Sequence, residues 1–262
     1  SPIPAPIPSF KLLGIELIIH EQNAIPGLAN KVISNFASQI FCGFRNSLKK
    51  AKVIGNPIRK KISKIRNPQQ RFKNKTGPLK ILILGGSLGA STFNRLLPRI
   101  LDKFNLSEQI SVIHQSGEKH YEELERTYMN LDTNESRDPI WLLGKEKFIY
   151  DIEEKYEWAD IVIARCGALT ISEFMEAGIA SILIPFPYAV DNHQYHNGKI
   201  LEDKKAAFII EENEVKNKLL GTLLKIDRKK CYQMALNAQK NKSSSNVAQK
   251  IYSYCKERFD GK

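Results

Sequence analysis

The sequence predicts an α/β protein with parallel, doubly wound sheet structure, and three observations carry that prediction. Short apolar runs of strand length recur along the chain, at Ile15 to Ile19, Leu79 to Leu84, Ile110 to His114, Asp160 to Ala164 and Ser181 to Pro185. Segments with apolar residues at helical spacing lie between them, so successive strands are joined by crossovers rather than by hairpins. Two of the strands run directly into glycine corners, Gly85-Gly-Ser-Leu-Gly-Ala90 and the Cys166-Gly-Ala168 turn, which suits the carboxyl ends of strands in an open α/β sheet.

Taken in order, Ile15 to Ile19 reads as a strand, His20 to Gly27 as a turn and Leu28 to Ser38 as a helix, with another short strand in the stretch Phe41 to Asn56. Lys60 to Pro78 loses hydrophobic periodicity and reads as a linker. After Pro78 come the strand Leu79 to Leu84, the helix Ser91 to Lys103, the strand Ile110 to His114 and a helix around Lys119 to Tyr128. The strand Pro139 to Leu143, the helix Asp151 to Tyr156 and the strand Asp160 to Ala164 follow. Thr170 to Ala177 reads as a helix stopped by Gly178, a residue that accepts positive φ without strain. The strand Ser181 to Pro185 ends in a polar loop, and Glu214 to Lys225, Arg228 to Lys242 and Asn246 to Phe259 read as surface helices. In the last of these Val247, Ile251 and Tyr254 share one side. The expected organisation is a first unit over residues 1–59, a linker over 60–78, a second unit over 79–245 and a C-terminal helix over 246–262.

Composition narrows the classes. With 262 residues, 42% of them apolar, the chain can bury one large or two modest cores. No apolar run reaches the 18 residues of a membrane-spanning helix. Cys42, Cys166, Cys231 and Cys255 are scattered without Cys-x-x-Cys spacing, which argues against a disulfide framework and a zinc site and suits a reducing cytoplasm. The opening Ser-Pro-Ile-Pro-Ala-Pro-Ile-Pro lacks a basic n-region and a long apolar h-region, so it reads as a cut rather than a signal peptide. The net charge of +12 is uneven: residues 1–75 hold 14 Lys or Arg against 2 Glu, whereas residues 76–262 hold 26 of each sign. That asymmetry points to nucleic acid, an acidic membrane surface or a phosphorylated substrate; a solvated basic linker accounts for it equally well. Nucleic acid is disfavoured, because the basic segment lacks interleaved aromatics and no nucleic-acid module is recognisable.

Three motifs carry chemistry. In Ile81-Leu-Ile-Leu-Gly-Gly-Ser-Leu-Gly-Ala90 a buried strand meets a glycine turn and a helix start, where backbone N–H groups and the helix dipole favour an anion. The spacing is Gly-Gly-x-x-Gly, not that of a dinucleotide fingerprint, and a tight turn for packing would use the same residues. In Asp160 to Gly178 the strand, corner and helix are compressed so that the amides of Ala168, Leu169 and Thr170 point out at the strand's carboxyl end. Glu173, one turn further on, could accept from both hydroxyls of a ribose or simply favour the helix N-terminus. The third motif, Ile184 to Asn197, offers Asp191, Asn192, Gln194 and Asn197 to a sugar; His193 and His196 lack the acidic companions of a metal site.

Together with His20-Glu-Gln-Asn-Ala-Ile-Pro-Gly27, Gly55-Asn-Pro-Ile-Arg59, His114-Gln-Ser-Gly117 and Phe148-Ile149, these segments resemble, in order and spacing, the MurG family of bacterial N-acetylglucosaminyltransferases from His20 to about Glu212. The resemblance implies a GT-B type fold of two facing Rossmann-like domains with parallel sheets, here with the N-terminal, acceptor- and membrane-side domain incomplete. It implies an inverting transfer of N-acetylglucosamine from UDP-N-acetylglucosamine to the muramyl sugar of lipid I, giving lipid II for peptidoglycan, with no metal and no cofactor; the sequence has no Asp-x-Asp metal clamp. By position, Ser87 and the glycine turn would meet the diphosphate, assisted by the helix start running through Ala168, Leu169, Thr170, Ile171 and Ser172. Ile149 would hold the uracil by its backbone, Glu173 the ribose and Gln194 the sugar, while Asn23 and Arg59 would reach in from the N-terminal side. Arg165 is a further cation for the departing diphosphate. The family's glycine-rich acceptor loop with its suspected histidine base has no counterpart here, so no catalytic base is assigned, His20 included, and the chain alone is expected to turn over poorly. A non-catalytic UDP-sugar-binding remnant is the alternative, and an epimerase of the same fold fits the ordered motifs less well. The family's peripheral position on the cytoplasmic face of the plasma membrane would use Lys49, Lys50, Lys52, Lys60, Lys61 and Lys64 against anionic headgroups.

Overall fold

The structure, a computed structural model, describes residues 15–45, 48–86, 90–131, 138–240, 242 and 246–260. It contains two parallel sheets. The smaller has β1 (Ile18–Glu21), β2 (Gln39–Cys42) and β3 (Lys52–Val53) in the order β1-β2-β3. The larger is built from β4 (Leu79–Leu84), β5 (Ile110–Gln115), β6 (Leu142–Glu146), β7 (Ile161–Ala164), β8 (Ser181–Leu183) and β9 (Ala207–Ile209). Its order is β6-β5-β4-β7-β8-β9, every neighbour parallel, which is the doubly wound Rossmann arrangement.

β4 explains why the sheet is covered on both sides. Because side chains alternate along a strand, Ile81 and Ile83 join one core and Leu82 and Leu84 another. The first core is closed by α3 (Ser91–Asn105), α4 (Tyr121–Met129), α8 (Val215–Leu223) and α9 (Arg228–Gln239) through Phe93, Leu97, Leu124, Leu219 and Met234. The second is closed by α5 (Ile152–Trp158), α6 (Ala168–Ala177) and α7 (His193–Glu202) through Tyr156, Ile171, Phe174 and Leu201. A strand buried on both faces must be apolar throughout, which is why Leu79 to Leu84 is so legible in the sequence. The edge strands escaped that signal. β6 starts three residues later than its predicted start, with Trp141 buried against Tyr128 ahead of it and polar Lys145 and Glu146 inside it, and the three-residue β9 was not predicted.

The remaining helices are α1 (Leu28–Ile33), which buries nothing and is shorter than predicted, α2 (Pro68–Phe72) and α10 (Val247–Asp260). Residues 60–78, although without periodicity, are anchored at isolated points. Ile62 sits in the second core, Asn67 caps α2 by accepting from the Gln70 amide at 2.9 Å, and Pro68 occupies the first helical turn. Gly178 takes φ 65° after α6, and a side chain there would meet Pro68 at 2.7 Å. α10 lies on the smaller sheet: Val247, Ile251 and Tyr254 pack on Phe41 and Ile54, with the Phe41 and Tyr254 rings edge to face at 5.4 Å. No helix among the described residues is long and apolar enough to cross a membrane.

A buried charge cluster ties residues 60–78 and α9 to the larger sheet. The Asp160 side chain is fully buried and accepts from the Lys80 amide at 2.9 Å. Lys75 lies 2.8 Å from one of its oxygens, and Arg228 reaches the other at 3.1 Å. Arg71 nearby donates to the carbonyls of Tyr156 and Gly178, and burial draws its pKa down to about 10. Replacing Asp160 by Asn removes the negative partner that two largely buried cations share among the described residues, so urea unfolding should show a loss of about 3–5 kcal/mol. Arg66→Gln, at the more exposed pair with Glu157, should cost under about 1 kcal/mol.

Candidate functional site

In the larger sheet the strand order reverses at β4, whose neighbours β5 and β7 lead the chain away in opposite directions. The carboxyl ends at such a reversal leave a crevice. Here it is a cleft of about 700 Å³. Its floor is Leu84, Gly85 and Gly86 after β4, Gln115 at the end of β5, and Ala164 and Arg165 at the end of β7. One wall comes from Gly167, Leu169, Thr170 and Glu173 of the α6 start, another from Phe148, Ile149, Ile152 and Tyr156. Phe186 and Gln194 close one end, and Arg59 lines the cleft from the segment after β3.

Two strand-to-helix corners border the cleft. Gly86 turns with φ 80°, a conformation side-chain-bearing residues avoid. Ser87 lies outside the described residues, immediately after this turn. At the second corner Gly167 caps α6 without a side chain, and the first helical bond runs from the Ile171 amide to Gly167. The amides of Ala168, Leu169 and Thr170 therefore have no partner inside the helix, and the first turn holds no acidic residue that would offset the helix dipole. An anion fits this end of the cleft.

Glu173 is the only carboxylate lining the cleft among the described residues. It is 8% exposed, and its pKa is raised, chiefly by burial, with Arg59 and a hydrogen bond from Tyr156 pulling it back. The Tyr156 hydroxyl donates to Oε2 at 3.2 Å, and the Arg59 guanidinium stands 3.8 Å from Oε1 with most of its side chain in solvent. Gln194 is fixed differently. Its Oε1 accepts from the Cys166 amide at 3.3 Å and the Phe186 amide at 3.0 Å, so what remains for a ligand is its NH2.

The sequence of residues 80–251 matches the glycosyltransferase family 28 C-terminal domain, and residues 4–42 match the N-terminal domain of the same family. The chain belongs to glycosyltransferase family 28. Curated relatives in this family include a protein of Dechloromonas aromatica, 39% identical over 228 residues, which cover 87% of this chain and 62% of that one. A Coxiella burnetii relative is 39% identical over 249 residues, 93% of this chain and 67% of its own. Both are named UDP-N-acetylglucosamine–N-acetylmuramyl-(pentapeptide) pyrophosphoryl-undecaprenol N-acetylglucosamine transferase. The chain thus spans about two thirds of the length of the relatives it matches. Among solved structures, Acinetobacter baumannii MurG superposes with a TM-score of 0.79 at 32% identity, covering 96% of this chain and 69% of that one. The GT-B fold expected from the sequence is the one observed.

The family's motifs do not all deliver cleft residues. Arg59, Ile149, Leu169, Thr170, Glu173 and Gln194 line the cleft together, with Ala168 buried beside it at the helix start. Ile171 and Ser172 do not present side chains to it, because the helix turns them into the core, where Ile171 is fully buried and the Ser172 hydroxyl donates to the Ala168 carbonyl. Asn23 stops short as well: it binds Glu21 and accepts from Asn197 at 3.1 Å. Asn197 is itself fully buried, accepting from the Ala24 amide and donating to the Cys166 carbonyl. His20 is bound to the Gly55 carbonyl at 2.9 Å, and in His114 to Gly117 only Gln115 lines the cleft. Arg165 is already engaged, by the carbonyls of Ile184 and Pro185, by Glu212 and by the rings of Phe93 and Phe186. Tyr156, Gln115 and Phe186 were missed. Gln115 was open to discovery, since it ends the strand beside β4; nothing local marks Tyr156 or Phe186.

Because burial raises the Glu173 pKa above the ordinary 4.5, the fold favours its protonated form. Its contribution to stability is complete below the unfolded value and is lost as pH rises through the raised folded value. Urea unfolding of the wild type should therefore show a decline above pH 4.5 that Glu173→Gln lacks. Parallel pH profiles for the two proteins would disprove it.

Proposed function

We propose that the cleft binds UDP-N-acetylglucosamine and that the chain, as part of a family 28 enzyme, transfers N-acetylglucosamine with inversion to the muramyl sugar of lipid I. The observation that carries this reading is the convergence of two strand-to-helix corners and one buried carboxylate on a single cleft. A diphosphate would lie against the glycine turn and the open amides of α6. The ribose hydroxyls would donate to Glu173, the uracil would pair with the backbone at Ile149, and the NH2 of Gln194 would donate to a sugar hydroxyl.

In the transfer, the 4-hydroxyl of the acceptor attacks the anomeric carbon and gives up its proton to a base from outside this cleft lining or to solvent, while the bond to the diphosphate breaks and UDP leaves. Negative charge then grows on the leaving UDP. Amides already fixed at that position stabilise it without reorganising, which is the condition under which such donors contribute most. Arg165 is spent on Glu212 and two carbonyls, so Arg59, with most of its side chain in solvent, is the cation assigned to the diphosphate. A protein that binds the nucleotide sugar without transferring it is the second reading. It draws on the lining itself, where the single carboxylate among the described residues is already held by Tyr156 and Arg59 and is no free base. Transfer to a lipid I analogue separates the two.

Calorimetry should show UDP and UDP-N-acetylglucosamine both binding. Glu173→Ala should weaken both by about 1.5–3 kcal/mol, the size of a hydrogen bond to a charged group. Gln194→Ala should weaken only the nucleotide sugar. Equal losses for both ligands on changing Gln194 would place the sugar elsewhere.

A membrane-side role for the N-terminal unit is supported by its exposed apolar residues Leu28, Val32, Phe36 and Val53 and its exposed Lys49, Lys50 and Lys52. Lys61 is set apart from the expected headgroup contacts, because it pairs with Glu153 at 2.7 Å. Changing Lys49, Lys50 and Lys52 to Glu should reduce sedimentation with anionic vesicles, each lysine counting about 1 kcal/mol, and leave neutral vesicles unaffected. Unaltered sedimentation with anionic vesicles would remove the idea.

A further inference from the structure

We propose that Tyr156 is a positioning residue for nucleotide recognition: its hydroxyl fixes one oxygen of Glu173 at the cleft wall, so that the other oxygen is presented to the ribose. The proposal rests on the nucleotide reading of the cleft and adds to it a residue that no ligand need touch.

A carboxylate that is to accept from two neighbouring hydroxyls has two requirements, a fixed plane and a negative charge. The position of Glu173 works against the second, since burial raises its pKa. Two groups oppose that rise, and they differ in kind. Arg59 stands 3.8 Å from Oε1 on a side chain that is 57% exposed, a distance and an exposure at which it is free to leave. Tyr156 donates to Oε2 at 3.2 Å and is 2% exposed. Its ring packs edge to face on Phe174 at 5.5 Å, and its carbonyl accepts from Arg71 at 3.3 Å, so it is held through both ring and backbone.

The donor is also permanent. Burial and the neighbouring carboxylate push the phenol well above its ordinary value, so it keeps its proton wherever Glu173 is ionised. The consequence is a division of oxygens. Oε2 is committed to Tyr156 and sets the carboxylate plane, while Oε1, with only Arg59 at 3.8 Å, carries the exchangeable contact and is the oxygen offered to the ribose. Glu173 lies in α6 and Tyr156 in α5, so the hydrogen bond also locks the two walls of the cleft together.

The test is calorimetric titration of UDP and of 2′-deoxy-UDP across pH 5 to 9, on wild type and Tyr156→Phe. Wild-type affinity for UDP should fall as pH drops through the raised Glu173 value. In Tyr156→Phe the midpoint of that fall should move to higher pH, the affinity at pH 8 should drop about tenfold, and the preference for UDP over the deoxy compound should shrink. A midpoint and a preference both unchanged would overturn the proposal. Absence of UDP binding to the wild type would overturn the nucleotide reading and this inference with it. If Tyr156→Phe does not fold, near-ultraviolet difference spectra of the nucleotide-free wild type serve instead. A tyrosine perturbation should follow Glu173 titration and be missing in Glu173→Gln, and identical spectra for the two proteins would overturn the proposal.

Discussion

The pairing of β4 with β5 on one side and β7 on the other is the constraint from which the cleft follows. All three strands are parallel and in register, Leu84 opposite both Gln115 and Ala164, so their last residues finish on one level. From that level the chain leaves in opposite directions, and the backbone has no strand with which to fill the gap. The glycine turn follows β4 and the amides of the α6 start follow β7, two corners that a single hydrogen-bonded ladder sets side by side.

A second constraint joins the N-terminal unit to that cleft. Asn56, 2% exposed, donates to the Gln22 carbonyl and to the Ser172 hydroxyl at 3.0 Å each. Asn197 makes the equivalent link from α7, to Ala24 and Asn23. Each asparagine is buried, so breaking either contact would strand a polar group away from water. This is the physical reason that Asn56, Ser172 and Asn197 belong to the same motifs as cleft residues without facing the cleft. They hold the segment that ends in Arg59, and Arg59 reaches Glu173 only while that segment stays docked.

What the sequence made legible follows from burial. Strands covered on both faces announce themselves, which is why β4, β5 and β7 were placed within a residue or two, and α6 was recognisable from its glycine corners. Edge strands and interrupted helices do not: β9 has three residues, and α7 opens with His193-Gln-Tyr-His196, polar residues that imitate a loop. The stretch 60–78 misled for a related reason. Its anchors, Ile62, Pro68 and Arg71, are single buried points six and three residues apart, and no periodicity can arise from contacts so spaced. For the site, sequence motifs marked which segments converge but not which side of each faces inward. Consecutive helix residues point about 100° apart, so Thr170 and Glu173 line the cleft while Ile171 and Ser172 between them cannot.

The same geometry separates fixed from movable charge in the proposed transfer. The open amides of α6 and the NH2 of Gln194 are set by backbone bonds made before any ligand arrives. Arg165, which the sequence offers as a cation at the strand end, is fixed too, but its donors face Ile184, Pro185 and Glu212, and its guanidinium lies over the rings of Phe93 and Phe186. Among the described residues, Arg59 alone of the cations lining the cleft is both largely exposed and tied to its partner only at 3.8 Å. A site with every charge fixed would hold product UDP as firmly as it stabilises the developing charge. Leaving one cation loose, and giving it a carboxylate to return to, lets positive charge be present while the diphosphate is bound and withdrawn when it departs.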